Sequence, residues 1–437
     1  MKHIIPIRAV PPAPTLAPPP LSLYVHWPWC VRKCPYCDFN SHDSAPQEAD
    51  YLAALIRDLE AVLPAIWGRP VISVFIGGGT PSLMAGSTVG ALLDAIRARV
   101  RLWPEAEITL EANPGTVEAE RFAAYADAGV NRLSLGIQSF DDAKLAALGR
   151  IHSGDEARRA IEIAQRHFTR VNLDLMVALP GQTLDEARRD IETAIATGVS
   201  HISAYHLTLE PNTPFHHAPP PLPDEDTAAD MLEMVETRLL AAGFEHYETS
   251  AYAKPGQRCA HNLNYWTFGD YLGLGAGAHS KISTPPFTPL AGGSKQARCA
   301  RENEGLAVET QTRFAASPRA ALAWDGPAPT LPGGLAIHRE ARPRHPKDYL
   351  ADPITRCWLP LAMEDLPGEF MMNALRLAEG VPLALFAERT GLPLSTIEKS
   401  ALAGRQQGLL AIADGRLQPT PLGRRFLNCL IALFLDV

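Results

Sequence analysis

Tyr24-Val-His-Trp-Pro-Trp-Cys30-Val-Arg-Lys-Cys34-Pro-Tyr-Cys37-Asp-Phe-Asn40 is the stretch on which the reading of this chain turns. Its opening residues continue a β-type run, Leu21–Trp27, and three cysteines follow at CxxxCxxC spacing in the connection after it. Three thiolates on one short loop can each bind one iron of a cubane [4Fe-4S] cluster, which leaves the fourth iron open to a small molecule. Zinc is the competing reading. Zinc loops usually bring paired CxxC units and close a shell of four ligands, and no second pair exists here, although His26 and His42 flank the loop and could complete a mixed site. The remaining cysteines, Cys259, Cys299, Cys357 and Cys429, are scattered and form no disulfide framework. They read as small apolar residues or idle thiols.

Outward from this loop, short β-type runs alternate with amphipathic helical patterns. The strand candidates are Leu21–Trp27, Val71–Ile76, Glu107–Ala112, Arg132–Gln138, Val171–Val177 and His201–Leu209, with five helical patterns between them. Consecutive βα units predict an α/β fold with a parallel sheet, which places ligands at the C-terminal strand ends. Periodicity leaves open whether the sheet is flat or curled. Gly77-Gly-Gly-Thr-Pro81 follows the second strand; a triple glycine lets the backbone approach a ligand closely, or simply makes a tight turn. Glu111, Gln138 and Asp174 sit at later strand ends, in register around one mouth, where a polar residue can equally be a helix cap.

With these motifs in hand, the chain resembles the radical S-adenosylmethionine (SAM) superfamily, and within it the branch that contains oxygen-independent coproporphyrinogen III oxidase and haem chaperones. The resemblance runs from about Leu21 to the end, apart from one insertion. It implies a partial (β/α)6 barrel with a cluster on Cys30, Cys34 and Cys37. It implies SAM contacts from Tyr24, Gly78, Gly79, Thr80, Glu111, Gln138, Arg150 and Asp174, although Arg150 alone would read equally as a surface ion pair.

Two features separate the sub-branches. The oxidase carries a fourth cysteine where Phe39 stands, and a longer N-terminal arm. The string His261-Asn-Leu-Asn-Tyr265-Trp266 matches the HNxxYW pattern of the haem chaperones. Histidine is a common haem ligand and Tyr or Trp faces can pack on a porphyrin, so His261, Tyr265 and Trp266 are the expected haem contacts; without the resemblance the same string reads as a buried aromatic turn. Cys259 is a weaker alternative ligand, and His279, His216 and His217 read as structural or solvated. The implied function is haem delivery to respiratory haemoproteins. A porphyrinogen oxidase, or a radical SAM enzyme acting on another substrate, is the alternative.

The whole-chain properties fit. Of 437 residues, 46% are hydrophobic and 20% charged, an ordinary globular balance. The net charge of −8 opposes a nucleic-acid footprint. No apolar run approaches the ~18 residues of a membrane span; the nearest, Leu427–Leu435, contains Asn428. The N-terminus does not read as a secretory signal, so the expected location is cytoplasmic, with peripheral membrane contact left open. The expected domains are a flexible Pro-rich arm (1–20), the barrel (21–210), an extension with the HNxxYW string (211–283), a flexible Pro/Gly/Ala-rich insertion (284–335) and a C-terminal winged-helix-like domain (336–437). From His345 onward nine Lys/Arg face ten Asp/Glu, so that domain reads as a packing module rather than a DNA reader.

Overall fold

The structure, a computed structural model, describes residues 16–115, 118–285, 331 and 334–435. Strands β1 (Leu21–Trp27), β2 (Pro70–Gly78), β3 (Arg101–Ala112), β4 (Arg132–Gln138), β5 (Val171–Val177) and β6 (His201–His206) form successive parallel pairs. Each connection carries a helix; those over Gly154–His167 and Leu184–Ala196 start with a Ser153 and a Thr183 capping box. The sheet then extends at both sides. Beyond β6 lie β7 (Glu245–Glu248) and β8 (Ala251–Ala253), an antiparallel hairpin. Beyond β1 lie β9 (Asp270–Leu274), parallel, then β10 (His279–Thr284), β11 (Ala336–Ala341) and β12 (Cys357–Pro360), antiparallel. The result is one sheet of twelve strands among the described residues. The six expected parallel strands are therefore the centre of a larger mixed sheet.

The two faces of that sheet differ in chemistry. On one, Leu23, Val25, Val74, Ile76, Leu110, Leu133, Leu135, Leu173 and Leu175 pack beneath the helices in the main core. Side chains alternate along a strand, so the other face carries two rows of paired positions, Ser22–Ser73–Glu107 and Glu111–Ser134–Asn172–His201, with Tyr24, Arg132 and Asp174 on the same face. Buried polar groups must be paired, and here they pair with one another: Asn172 Nδ2 donates to Ser134 Oγ (2.7 Å) and to Asp174 Oδ1 (2.8 Å), while His201 lies 2.6 Å from Asn172 Oδ1. The sheet curls around this polar inner face.

Two boundaries move. β11 and β12 belong to the main sheet, so the C-terminal unit begins near residue 361 rather than at 336. The strand was hidden because its outward residues are charged: Glu340 and Asp58 both pair with Arg342 inside the protein (3.0 and 3.2 Å). The ends of both segments expected to be flexible are built into the fold. Leu16 packs on the C-terminal core, Arg69 binds Pro19 O, Thr284 ends β10, and Leu331 and Leu335 are buried. The rest of those two segments, with Cys299, lies outside the described residues.

The C-terminal unit has helices over Leu366–Ala374, Leu383–Thr390 and Glu398–Gln406, then a hairpin, β14 (Leu410–Ala413) and β15 (Arg416–Pro419), with β13 (Val381–Pro382) on its edge. Asp414 and Gly415 both take positive φ (51° and 70°), as a two-residue type I′ turn requires. The chain closes on two short helices, Pro421–Arg425 and Leu427–Ala432, broken at Phe426. Phe370, Phe386, Leu417 and Leu430 share one core with Phe268, just ahead of β9, and Ile337 of β11, so this unit is fused to the barrel extension rather than tethered to it.

Candidate functional site

The cysteine loop leaves β1 and is pinned at its base: Cys30 N donates to His42 O (2.9 Å) and His42 N to Pro28 O (2.8 Å). Gly79 N and Thr80 N donate back to Trp27 O and Trp29 O (2.7 and 2.8 Å), so the loop after β2 is stitched onto the loop after β1. This contact explains the glycines. A Cβ on Gly79 would stand 2.5 Å from Trp29 O, and one on Gly78, where φ is +113°, would stand 2.6 Å from the His26 ring. The Gly78 amide then donates to Glu111 (3.1 Å).

A circuit of hydrogen bonds closes the mouth. Thr80 Oγ1 donates to Cys30 Sγ (3.4 Å), Asn113 Nδ2 donates to Thr80 Oγ1 (3.0 Å), and Arg150 donates to Asn113 Oδ1 (2.6 Å), Gly136 O (2.7 Å) and Cys34 Sγ (3.9 Å). Two of the three thiols are thus joined through Thr80, Asn113 and Arg150, from the connections that follow β2, β3 and β4. Burial raises the Cys30 thiol and lifts Cys37 to about 11, so a metal must displace protons to bind them. Among the described residues no three His, Cys, Asp or Glu side chains converge as ligands of a single ion. A cubane takes one thiolate per iron and asks only that the thiols be neighbours. The half-buried cysteine triad fits that demand.

Behind the mouth Tyr24, Glu111, Gln138, Arg150 and Asp174 are each half-buried. Gln138 sits at a bulge with φ +67°, which turns it from the strand alternation. Burial, reinforced by the Asp174 charge, lifts Glu111 to about 8, and burial raises Asp174 as well. Two carboxylates in that state suit a ligand that brings positive charge. Tyr24 OH lies 2.9 Å from His26 Nδ1, and His26 Nε2 lies 2.9 Å from Asn40 O. The carbonyl can only accept, so Nε2 carries the proton and Nδ1 accepts from Tyr24. Burial lowers His26 to about 4 and keeps it neutral.

Sequence reasoning overlooked Asn113, which joins the two halves of the circuit. The signal was present: Asn113 is two residues past Glu111, on the same side of an extended chain.

The HNxxYW string folds as the helix Ala260–Trp266 and lies across the inner face well below the mouth. Its first amides, from Ala260 and His261, donate to Glu107 (3.1 Å each), as does the Cys259 thiol (3.3 Å). Burial would raise Glu107, but Arg132 and Arg170 outweigh it and keep the carboxylate charged. His261 Nδ1 lies 2.9 Å from Ser73 Oγ; its ring packs 5.0 Å from both Phe75 and Tyr265, and it is only 3% exposed. Trp266 takes a different side: it packs on the C-terminal core, with the Arg376 guanidinium 5.2 Å from its ring. The three expected haem contacts are therefore split between a sealed interior, the inner face and the domain junction. Cys259 is buried. His216 and His217 are exposed, as expected, whereas His279 is half-buried on the inner face.

Comparison with known proteins places this geometry. Residues 24–194 match the model of the radical SAM superfamily, and residues 361–426 match the HemN C-terminal domain, agreeing with the corrected boundary. The heme chaperone HemW of Escherichia coli is 44% identical over 421 residues, covering 95% of this chain and 98% of its own. The chain belongs to the HemW family. The heme chaperone HemW of Haemophilus influenzae is 43% identical at the same coverage. Among solved structures, coproporphyrinogen III oxidase (HemN) from Escherichia coli superposes with a TM-score of 0.68 over 96% of this chain and 90% of that one, at 19% identity. That likeness establishes the shared radical SAM fold. No helix among the described residues is long and apolar enough to cross a membrane.

Proposed function

We propose that this chain is a cytoplasmic haem chaperone that carries a [4Fe-4S] cluster on Cys30, Cys34 and Cys37, binds SAM beside it, and passes haem to respiratory haemoproteins. The observation that carries the reading is the Cys30–Thr80–Asn113–Arg150–Cys34 circuit in a chain of the HemW family. When bound, the cluster supplies an electron and an open iron. This chain's residues do the holding. Thr80 and Arg150 orient two thiols, Gly78 and Gly79 bring the second loop against the first, and Tyr24, Glu111, Gln138 and Asp174 surround the polar parts of SAM. The Glu111–Asp174 pair accepts its positive charge. The neutral His26 fixes the Tyr24 hydroxyl without adding a competing cation.

Haem enters from the inner face, whose aromatic lining of Tyr24, Phe75, Tyr265 and Tyr271 suits a flat apolar macrocycle. The test is anaerobic reconstitution followed by iron and sulfide counts, then titration with haem read in the Soret region. Four irons per chain and a saturable Soret band are expected. A chain that takes up the cluster but no haem would overturn the chaperone reading.

A further inference from the structure

We propose that Asn40 is a positioning residue for the cluster, holding the arm of the loop that carries Cys37; the assignment rests on the cluster reading above. Among the described residues, the Thr80–Asn113–Arg150 circuit reaches Cys30 and Cys34 but not Cys37. The third thiol sits on the returning arm of the loop. There Cys37 N donates to Cys34 O (3.1 Å), and the Phe39 amide donates to the Cys37 thiol. Whatever fixes the backbone at residues 39 and 40 therefore fixes that corner of the cluster site.

Asn40 is anchored in three directions. Its Nδ2 donates to Ala276 O (3.0 Å), in the turn between β9 and β10, and to Arg344 O (2.9 Å), just past β11. Its own carbonyl accepts from His26 Nε2 (2.9 Å) at the end of β1. Both side-chain partners are carbonyls, which only accept, so the position needs a short side chain with two N–H donors on one nitrogen. Aspartate has nearly the same shape but would point charged oxygens at both carbonyls. Alanine would leave both bonds unmade.

The seat is cut to this side chain. A Cβ on Gly277, where φ is +75°, would stand 2.3 Å from Asn40 Nδ2, and one on Gly275, where φ is +104°, would stand 2.5 Å from His26 O. The turn is braced in its own right. Ala276 N donates to Tyr51 OH, which donates on to His26 O (2.8 Å each). Gly277 N donates to Pro343 O (2.9 Å) and Arg342 N to Ala278 O (3.0 Å). Strand β1 lies between β2 and β9, so its loop is held from both neighbours. The β2–β4 side grips Cys30 and Cys34, and the β9–β11 side grips the arm of Cys37. Contacts of this kind, one step removed from the metal, orient its ligands and tune its affinity and potential.

The test uses the full chain after anaerobic reconstitution. It reads iron and sulfide counts, the midpoint potential, electron paramagnetic resonance of the reduced cluster with and without SAM, and the melting temperature of the cluster-free chain. Asn40→Ala should keep its iron complement, shift the potential and the resonance signal, and weaken SAM binding by about tenfold, the usual scale for losing a contact that orients a metal ligand. Asn40→Ser, which keeps one donor, should fall between alanine and wild type. Gly277→Ala, which presses on the same amide from outside the loop, should shift the potential as well. Wild-type potential, signal and SAM affinity in Asn40→Ala would overturn the assignment even if the cluster-free chain melted lower, because that is how a residue serving only the fold behaves. If Asn40→Ala takes up no cluster, the same readings on Asn40→Ser decide. A wild-type chain that takes up no iron would instead bring down the cluster reading on which the assignment rests.

Discussion

The mouth of the barrel and the helix lying across its inner face both carry strings that read as functional, and the structure treats them in opposite ways. At the mouth, CxxxCxxC and Gly77-Gly-Gly-Thr on adjoining loops meet the half-buried Glu111, Gln138 and Asp174 of the neighbouring strands. Across the inner face, the HNxxYW helix seals its histidine against Phe75 and turns its tryptophan to the C-terminal core. A loop motif keeps its polar atoms available because loop backbone is satisfied by a few stitches. A helix motif surrenders side chains to whichever surface its faces meet.

The largest effect expected at the mouth is loss of the cluster. Replacing any one of Cys30, Cys34 or Cys37 by Ala should abolish stable four-iron content, because two thiolates cannot hold a cubane with an open corner. Iron and sulfide counts after anaerobic reconstitution measure this. Cys357→Ser, distant from the loop, should leave them unchanged, and a full complement in Cys34→Ala would break the assignment.

Next in size is Asn113→Leu, which keeps the volume but removes both the donor to Thr80 and the acceptor for Arg150. A hydrogen bond to a charged group is worth about 1.5–3 kcal/mol. SAM binding to the reconstituted protein should therefore weaken by roughly tenfold or more. Equal SAM affinity in the variant would show that the circuit supports neither the thiols nor the ligand.

The contrast also explains what could be read in advance. β1, β4 and β5 were legible to the residue because the βα alternation is a local pattern. β11 was not. Its outward His338, Glu340 and Arg342 look like a surface segment until Arg342 meets Asp58, 284 residues away in sequence, and Tyr349 donates to the same carboxylate. The HNxxYW string was legible as a string and as a buried aromatic turn. Which surface each ring faces depends on β2 and the C-terminal unit, and no local period encodes that.

If the helix is structural, His261→Ala should cost stability. The substitution removes a buried ring and one of the two hydrogen-bond partners of Ser73, a loss of about 2–4 kcal/mol by comparison with other large-to-small core changes. The variant should melt lower than wild type while retaining its cluster, whereas His279→Ala, half-buried and without a hydrogen bond to lose, should melt within a degree or so of it. Equal melting of the two variants would erase the distinction drawn between mouth and inner helix.

The smallest effect expected is a pH dependence at Glu111. Its carboxyl is raised to about 8 in the folded chain by burial and by Asp174, against about 4.5 when unfolded. A raised value means that the folded state holds the proton more tightly. This contribution to stability is complete below about 4.5 and is lost as pH climbs toward 8, where the buried pair must carry two charges. The cluster-free protein should therefore melt at a lower temperature at pH 8.5 than at pH 6, and Glu111→Gln, which cannot ionise but can still accept from the Gly78 amide, should reduce that fall. Water reaches the half-buried carboxyl and screens the repulsion, so the change should be smaller than that from His261→Ala. SAM should act in the opposite sense. Its positive charge favours the ionised pair, so binding at pH 7 should release protons from wild type and fewer from Glu111→Gln, which calorimetry in buffers of different ionisation enthalpy measures directly. Proton release that is the same in both proteins would mean that Glu111 does not face the charge of SAM, and would move the acidic half of the site to Asp174 alone.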